Sequence, residues 1–190
     1  VPMPGAVWSN LVGRPDTVVN AASFAGLVAD GATDVSSVLA SALDTLADGQ
    51  VLQLDQGAYY VPNLRNYQVT GRFTLAGVKG VTRLLGDGVL SADASTDIML
   101  KLTPDSALTL KDIIVEDNGV LVGLEDLTEV GDITITGCEF INSGGAVGME
   151  SVSVSFLAGQ AAGRLYSFDN FKMTDCVVSG CETGVGLGAQ

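Results

Sequence analysis

The sequence contains no histidine, and this absence excludes several kinds of catalytic centre. Ser-His-Asp triads, Cys-His pairs and histidine-ligated metals all require an imidazole. Cysteine is also scarce, with three residues and no Cys-x-x-Cys pair, so neither a zinc site nor a redox motif is indicated. We therefore expect no metal and no cofactor, and any chemistry would have to use carboxylates, tyrosine, lysine or arginine.

Basic residues are few: nine Lys and Arg stand against 22 Asp and Glu, which gives a net charge of -13 at pH 7. Nucleic acids and anionic membrane surfaces both require a basic patch, so we expect neither as a partner. A strongly acidic polysaccharide would also be repelled, whereas a neutral or amino-bearing sugar would not. Long apolar runs are missing too, since charge-free stretches such as 17–29 and 151–163 are too short for a membrane span.

Three segments share one pattern of apolar and polar positions, and this pattern predicts the fold. They start at Leu108, Ile133 and Phe171, which lie 25 and then 38 residues apart (108 to 133, 133 to 171), a spacing typical of stacked repeats. In each copy the first and third residues are apolar, as in a strand with one buried face. Apolar residues resume at the sixth and eighth places, so the buried parity shifts across a corner between two strands.

A third short apolar strand follows each copy, at residues 120–122, 146–147 and 185–187. Three strands and three corners per turn describe an all-β parallel β-helix, a solenoid in which successive rungs pair about 4.8 Å apart. A β-sandwich is the main alternative, but it would not repeat the same corner chemistry in the same order.

One helix is predicted before the rungs, over about residues 34–46. Asp34 is placed to act as its N-cap and Gly49 lies just past its end. An apolar stripe at helical spacing predicts that the helix covers the open end of the solenoid. The segment 50–61 then predicts a first strand followed by a turn at Gly57.

The segments Ala29-Asp-Gly-Ala-Thr-Asp34 and Leu54-Asp-Gln-Gly-Ala-Tyr59, with the helix between them, resemble the N-terminal signature of the pectate-lyase-like superfamily. That superfamily includes bacteriophage tailspikes and secreted polysaccharide lyases, hydrolases and epimerases. The resemblance implies a right-handed, single-stranded parallel β-helix with an N-terminal capping α-helix, and a polysaccharide as ligand or substrate. It implies no catalytic residue, because the matched residues cap the solenoid and turn its first corner.

The predicted organisation is an extended anchor segment over 1–20, followed by a β-helix over 21–190 with rungs from about residue 50. A longer interval between the second and third repeats predicts an insertion over about 152–169. Because nothing resembling a polar cap follows the last repeat, we expect further chain or another subunit to cover that edge.

Two sets of residues are candidates for function. Glu116 and Glu139 fall on outward positions of adjacent rungs, as diagonal neighbours, at a separation compatible with the paired carboxylates of glycosidases; two solvated surface glutamates are the alternative. Insertions in solenoids often project from the binding face. The insertion carries Arg164, Tyr166 and Phe168, which we interpret as carbohydrate-binding residues, with subunit packing as the other use of exposed aromatics.

Two cysteines occupy the same position of adjacent repeats. Cys138 and Cys176 are predicted to form a stacked pair of small buried residues, in which a disulfide is geometrically conceivable but not required.

The first functional hypothesis is a virion spike or tailspike-like protein, forming a homotrimer, that recognises a cell-surface polysaccharide and in full-length form degrades it. Such a protein would be found on the virion or outside the cell, with other virion or C-terminal domains as partners. A secreted polysaccharide lyase, hydrolase or epimerase is the alternative from the enzyme class. A purely structural spacer module is the third hypothesis.

Overall fold

The computed structural model describes residues 17–64, 67–87, 98–103, 105–116, 120–124, 132–141, 152–156, 171–179 and 183–187. The candidate residues Arg164, Tyr166 and Phe168 lie outside these ranges, as does the predicted strand at 146–147.

The described residues form seventeen strands, one α-helix and a short 3-10 turn. The elements, in chain order, are β1 (Val18–Asn20), the 3-10 turn (Ala21–Ser23), β2 (Asp30–Asp34), α1 (Ser36–Asp44), β3 (Val51–Gln53), β4 (Ala58–Tyr60), β5 (Tyr67–Val69), β6 (Arg72–Ala76), β7 (Arg83–Leu85), β8 (Ile98–Leu102), β9 (Ala107–Lys111), β10 (Ile114–Glu116), β11 (Val120–Leu124), β12 (Asp132–Thr136), β13 (Glu139–Ile141), β14 (Val152–Phe156), β15 (Phe171–Thr174), β16 (Val177–Ser179) and β17 (Thr183–Leu187).

From β3 onward every third strand returns to the same sheet, and neighbouring strands pair in parallel. Sheet A has the order β1-β3-β6-β9-β12-β15, and sheet B has the order β2-β4-β7-β10-β13-β16. Sheet C contains β5, β8 and β11, and β14 pairs with β17 in a smaller sheet. This arrangement of parallel sheets with one helix is consistent with the predicted all-β parallel β-helix.

The three sequence repeats are stacked in register as predicted. Leu108 pairs with Ile133, and Ile133 pairs with Phe171 in sheet A. In sheet B, Val115 pairs with Phe140, which pairs in turn with Val178. The register therefore aligns the three repeats as the pattern of apolar residues predicted.

The core is built from columns of like side chains between the sheets. Leu52, Leu75, Leu110 and Ile135 form one column of sheet A, and all four are buried. The middle residues of the sheet B strands form the facing set, namely Tyr59, Leu84, Val115 and Phe140, which are also buried in the same cluster. Burial of two apolar side chains on each of the sheet A strands β6, β9 and β12, and of the middle residue of each facing sheet B strand, stabilises the rungs at about 25 cal/mol per Å².

The corner between sheets A and B uses left-handed backbone on three successive rungs. Asp112, Gly137 and Asp175 have φ values of 56°, 65° and 54°. Glycine adopts this conformation without strain, and aspartate tolerates it better than most residues. These are the corners at which the sequence pattern predicted a change of buried parity.

The helix is shorter than predicted, and its cap differs. It runs from Ser36 to Asp44, and the N-cap position is occupied by Val35 rather than Asp34. Asp34 still serves the helix start, because its Oδ1 accepts a hydrogen bond of 2.9 Å from the amide of Ser36. Leu46 lies beyond the last helical turn, whose carbonyls are met by the amides of Thr45 and Leu46. The predicted packing is present, since Leu39, Ala42 and Leu43 are buried in the core cluster.

Two predicted boundaries are wrong. Residues 18–20, assigned to the anchor segment, form β1 and pair with β3 in sheet A. Residues 152–156, assigned to the insertion, form β14, where Val152 pairs with Thr183 and Phe156 pairs with Leu187. Alternation of apolar and small polar residues in 152–156 is the sequence pattern of a strand with one buried face. Within the described part of the chain, no helix is long and apolar enough to cross a membrane.

Candidate functional site

The outward face of sheet B contains both predicted catalytic residues. Each sheet B strand from β4 onward contributes three residues, and the middle one is buried in β4, β7, β10 and β13. Because successive side chains point to opposite sides of a strand, the first and third residues lie on the outward face. We call this surface the sheet B face; its residues are Ala58, Tyr60, Arg83, Leu85, Ile114, Glu116, Glu139, Ile141, Val177 and Ser179.

Polar and apolar residues alternate across the sheet B face in both directions. Along the first column the register runs Ala58, Arg83, Ile114, Glu139, Val177, and along the third it runs Tyr60, Leu85, Glu116, Ile141, Ser179. A residue with a hydroxyl or a charge is therefore always next to an aliphatic one on the neighbouring strand. The result is a checkerboard over five strands.

Glu116 and Glu139 are diagonal neighbours on adjacent strands of this face. Glu139 pairs with Ile114, and Glu116 pairs with Ile141, so the two glutamates are offset by two residues. Strand spacing and rise per residue put their Cα atoms about 8 Å apart. Both side chains are partly exposed. With the Cα atoms about 8 Å apart, the two side chains can place their carboxyl groups at the roughly 5 to 9.5 Å that separates the carboxyl groups of glycosidases.

Arg83 adds a cation that sequence reasoning did not identify. Its guanidinium forms an ion pair with the Glu116 carboxylate, diagonally across β7 and β10. The Arg83 side chain is 42% exposed and that of Glu116 is 21% exposed, so water screens the pair and its own contribution to stability is small. Arg83 places the N–H donors of its planar guanidinium on the same face as two carboxylates.

The aliphatic half of the checkerboard is unevenly covered. Ile114, at the centre of the face, is only 3% exposed, although it lies outside the main core cluster. It stands opposite Arg83 on one side and Glu139 on the other. At the β16 end, Val177 is 56% exposed. A ligand would therefore meet polar groups at the centre and apolar surface toward β16.

Tyr60 is the second residue of this face whose position the sequence did not reveal. Of the doublet Tyr59-Tyr60, only Tyr59 is buried. Tyr60 is partly exposed, on the outward column beside Leu85 and diagonal to Arg83. The period-two rule contained this signal, since adjacent residues of a strand must point to opposite sides. Arg83 was missed because the rung of β6, β7 and β8 has a longer corner and does not match the three repeats.

The outward face of sheet A has a different chemistry. Thr74, Thr109 and Thr134 form a column in register, flanked by Val51 and Lys172. Like residues stack in this threonine column, whereas polar and apolar residues alternate in both columns of the sheet B face. The described residues contain no group of three or more side chains placed to hold a metal ion.

Cys138 and Cys176 lie in the predicted column as free thiols. Burial raises the pKa of the Cys138 thiol to about 11. Because the thiolate is the nucleophilic form, Cys138 is an unreactive packing residue. Cys176 is partly buried, and its Sγ lies 3.2 Å from the carbonyl oxygen of Thr174.

No protein-family model matches the sequence, and no curated protein matches it. Among solved structures, the chain is similar to the PL6 family alginate lyase AlyGC, with 16% sequence identity and a TM-score of 0.47. The match covers 78% of this chain but only 19% of the lyase.

Proposed function

We propose that the chain is a right-handed, single-stranded parallel β-helix, capped by α1, that binds a polysaccharide on the sheet B face. The observation that supports this proposal is the checkerboard of polar and aliphatic residues over five parallel strands. The resemblance of residues 29–59 to the pectate-lyase-like superfamily points to the same class of ligand.

The physical reason lies in the chemistry of sugars. A pyranose ring presents apolar C–H faces and hydroxyl edges, so a surface that alternates aliphatic patches with hydrogen-bonding groups matches it in both respects. Tyr60 offers an aromatic ring, Arg83 offers donors, and Glu116 and Glu139 offer acceptors. A flat array of short strands allows an extended chain to make these contacts repeatedly.

The proposal is tested by measuring binding of the purified chain to a panel of neutral and amino-bearing polysaccharides. Variants Glu139→Gln and Tyr60→Ala are each expected to weaken binding by about tenfold, since a hydrogen bond to a charged group or one stacked ring is removed. Lys172→Gln, on the outward face of sheet A, is the matched control and should bind as the unmodified chain does. Equal loss in all three variants, or no binding to any member of the panel, would contradict the proposal.

The diagonal placement of Glu116 and Glu139 favours a second candidate, a polysaccharide-cleaving enzyme. In that case Glu139→Gln abolishes release of oligosaccharides while binding is largely retained, because the carboxylate acts on the reacting bond. Asp55→Asn changes a carboxylate at a corner instead and serves as control. Retention of full activity in both Glu116→Gln and Glu139→Gln would remove the pair from consideration.

The setting that we propose for this binding is a spike-like protein on a virion or a secreted protein, assembled as a homotrimer. Light scattering of the purified chain tests the assembly. A mass three times that of the 19.4 kDa chain is expected. A monomer at high concentration that binds no glycan would leave a structural spacer as the remaining hypothesis.

A further inference from the structure

A groove lies beside the first turns of α1, at the β2 end of sheet B, where Asp34 is the strand partner of Tyr60. It has a volume of about 230 Å³. Drug-sized ligands occupy pockets of roughly 300 to 1,000 Å³, so this groove suits a ligand of about one ring. Its lining residues are Asp34, Ser36, Ser37, Ala40, Asn63, Leu64 and Tyr67.

The groove has an apolar side and a polar end. Leu64 is only 5% exposed, and with Ala40 and the ring of Tyr67 it forms the apolar side. The Tyr67 hydroxyl donates a hydrogen bond of 2.8 Å to Asp44 Oδ1, which fixes the direction of the ring. Asp34, Ser37 and Asn63 form the polar end, and all three are exposed.

The polar end is held rigid by hydrogen bonds among its own residues. The side-chain nitrogen Nδ2 of Asn63 donates to Asp34 Oδ2 at 2.7 Å, and the backbone N–H of Asn63 donates to Ser36 Oγ at 3.0 Å. Asp34 also accepts from the side chain and the backbone of Ser36, and these bonds lower the pKa of its carboxyl. Asp34 therefore stays ionised near neutral pH and keeps its orientation without a ligand.

The groups that face a ligand are mainly acceptors. A carboxylate has about four lone-pair directions, of which three are used within the protein at Asp34. The side-chain oxygen Oδ1 of Asn63 is a second acceptor; the hydrogen bond from Nδ2 of the same side chain to Asp34 fixes its orientation. The Ser37 hydroxyl can donate or accept. None of the seven lining residues is a cation, so an anionic ligand has no charged partner among them.

We propose that this groove binds a single sugar unit that is neutral or carries an amino group. The ring would lie against Tyr67 and Leu64, and its hydroxyl or ammonium donors would face Asp34 and Asn63. The inference rests on the proposed function for the choice of a sugar, but it uses a separate set of residues. It would give the molecule a second contact for a glycan, at the end of sheet B where β2 adjoins β4.

The test is a titration of the isotope-labelled chain with glucosamine in its protonated form, glucose and galacturonate, followed by NMR amide shifts. We expect saturable shifts at Ser37, Asn63 and Tyr67 with glucosamine, weaker ones with glucose, and none with galacturonate. Asp34→Asn should weaken glucosamine binding by about fivefold and glucose binding less, because it removes the charge that attracts the ammonium group together with one acceptor of the hydrogen bonds from Ser36 and Asn63. Ala40→Phe should fill the groove and abolish the shifts, with unfolding curves confirming that both variants fold.

Several outcomes would overturn the inference. Absence of saturable shifts with both glucosamine and glucose is one, and shifts that persist in Ala40→Phe are another. Equal shifts with ethylamine at the same concentration would mean that the groove recognises only an ammonium group. Polysaccharide binding that depends on Tyr60 and Glu139 but leaves these amides unmoved would contradict the groove while sustaining the sheet B face. Shifts at the groove without any polysaccharide binding would support the groove and contradict the proposed binding on the sheet B face.

Discussion

Gly77 stands at the corner between β6 and β7, where another chain segment passes very close. A Cβ atom at this position would lie 2.7 Å from the Cβ of Thr82 and 2.8 Å from the carbonyl oxygen of Asp112. Thr82 is fully buried, and its Oγ1 is fixed by hydrogen bonds of 2.8 and 2.9 Å to Val78 and Asp55. The neighbours of Gly77 therefore cannot move aside.

Gly77→Ala is expected to reduce the free energy of unfolding by about 3 kcal/mol, because it overpacks this corner. Gly80→Ala is the matched control, since Gly80 has a φ of 71° but a methyl group added there would meet no atom within 4 Å. Only the left-handed backbone is penalised there, at about 1 kcal/mol. Urea unfolding of both variants gives the comparison, and an equal loss in the two would contradict the steric explanation.

Asp30 links stability to pH at the turn before α1. Its carboxylate accepts hydrogen bonds from the backbone of Thr33, the hydroxyl of Thr33 and the backbone of Ala32, and these lower its pKa to about 2. A carboxyl group whose pKa is lowered in the folded state stabilises the protein at pH values above the ordinary pKa of that group, 3.8. This contribution is lost as the pH falls through about 2.

Asp30→Asn should therefore be less stable than the unmodified chain at pH 7, and the difference should shrink as the pH falls from about 4 to about 2. Thr33→Val, which removes one of the donors and keeps the charge, should show an intermediate dependence. Thermal unfolding midpoints across this pH range provide the measurement. A difference between Asp30→Asn and the unmodified chain that stays constant with pH would exclude this linkage.

At the residue scale, the sequence predicted the two candidate glutamates but not their surroundings. Glu116 and Glu139 could be placed on one face because strand parity depends only on counting residues. Arg83 could not, because its partner Glu116 is 33 residues away and the ion pair depends on which strands are neighbours. The groove at α1 was also beyond reach, since it forms between a helix and residues that follow it only after two further strands.

At the scale of elements, α1 shows how pattern and boundary differ in predictability. Its apolar stripe was recognised because side chains three and four residues apart share a face. Its start was misplaced by two residues, because Asp34 belongs to β2 and pairs with Tyr60 while also serving the helix amide. Pairing of β2 with sheet B is a long-range effect that local capping preferences do not include.

Leu39→Ala tests whether α1 covers the core. Leu39 is fully buried in the cluster that also contains Leu43 and Leu52. Its truncation leaves a cavity and should lower the free energy of unfolding by roughly 2 to 5 kcal/mol. Ser41→Ala, on the exposed side of the same helix, removes a local hydrogen bond to Ser37 and should change stability by less than about 0.5 kcal/mol. Denaturant unfolding monitored by circular dichroism separates the two cases.

At the scale of the whole molecule, the stacking of rungs was predictable because it repeats. Three copies of one pattern were enough to indicate parallel sheets, and the register of Leu108 with Ile133 and Phe171 agrees. The rung of β6, β7 and β8 was not predicted from the repeats, because its corner at residues 77–82 is longer than the two-residue corners of the next rungs. Repeats reveal themselves by similarity, so a rung altered by insertion is hidden from that signal.

The net charge of -13 gives a prediction about the choice of polysaccharide. Charges more than a Debye length apart are screened, and that length falls from about 10 Å at 0.1 M salt to about 3 Å at 1 M. Binding of a neutral polysaccharide should therefore change little between these salt concentrations. Binding of an amino-bearing polymer should weaken with salt, because long-range attraction is lost.

An acidic polymer should show the reverse behaviour. Repulsion by the whole chain opposes its approach at low salt, so whatever binding it has should strengthen as salt is added. Calorimetric titrations with chitosan oligosaccharides, a neutral glucan and polygalacturonate over this range distinguish the three cases. Tightest binding of polygalacturonate at low salt would show that a local basic region outweighs the net charge, and Arg83→Gln would then identify whether the sheet B face supplies it.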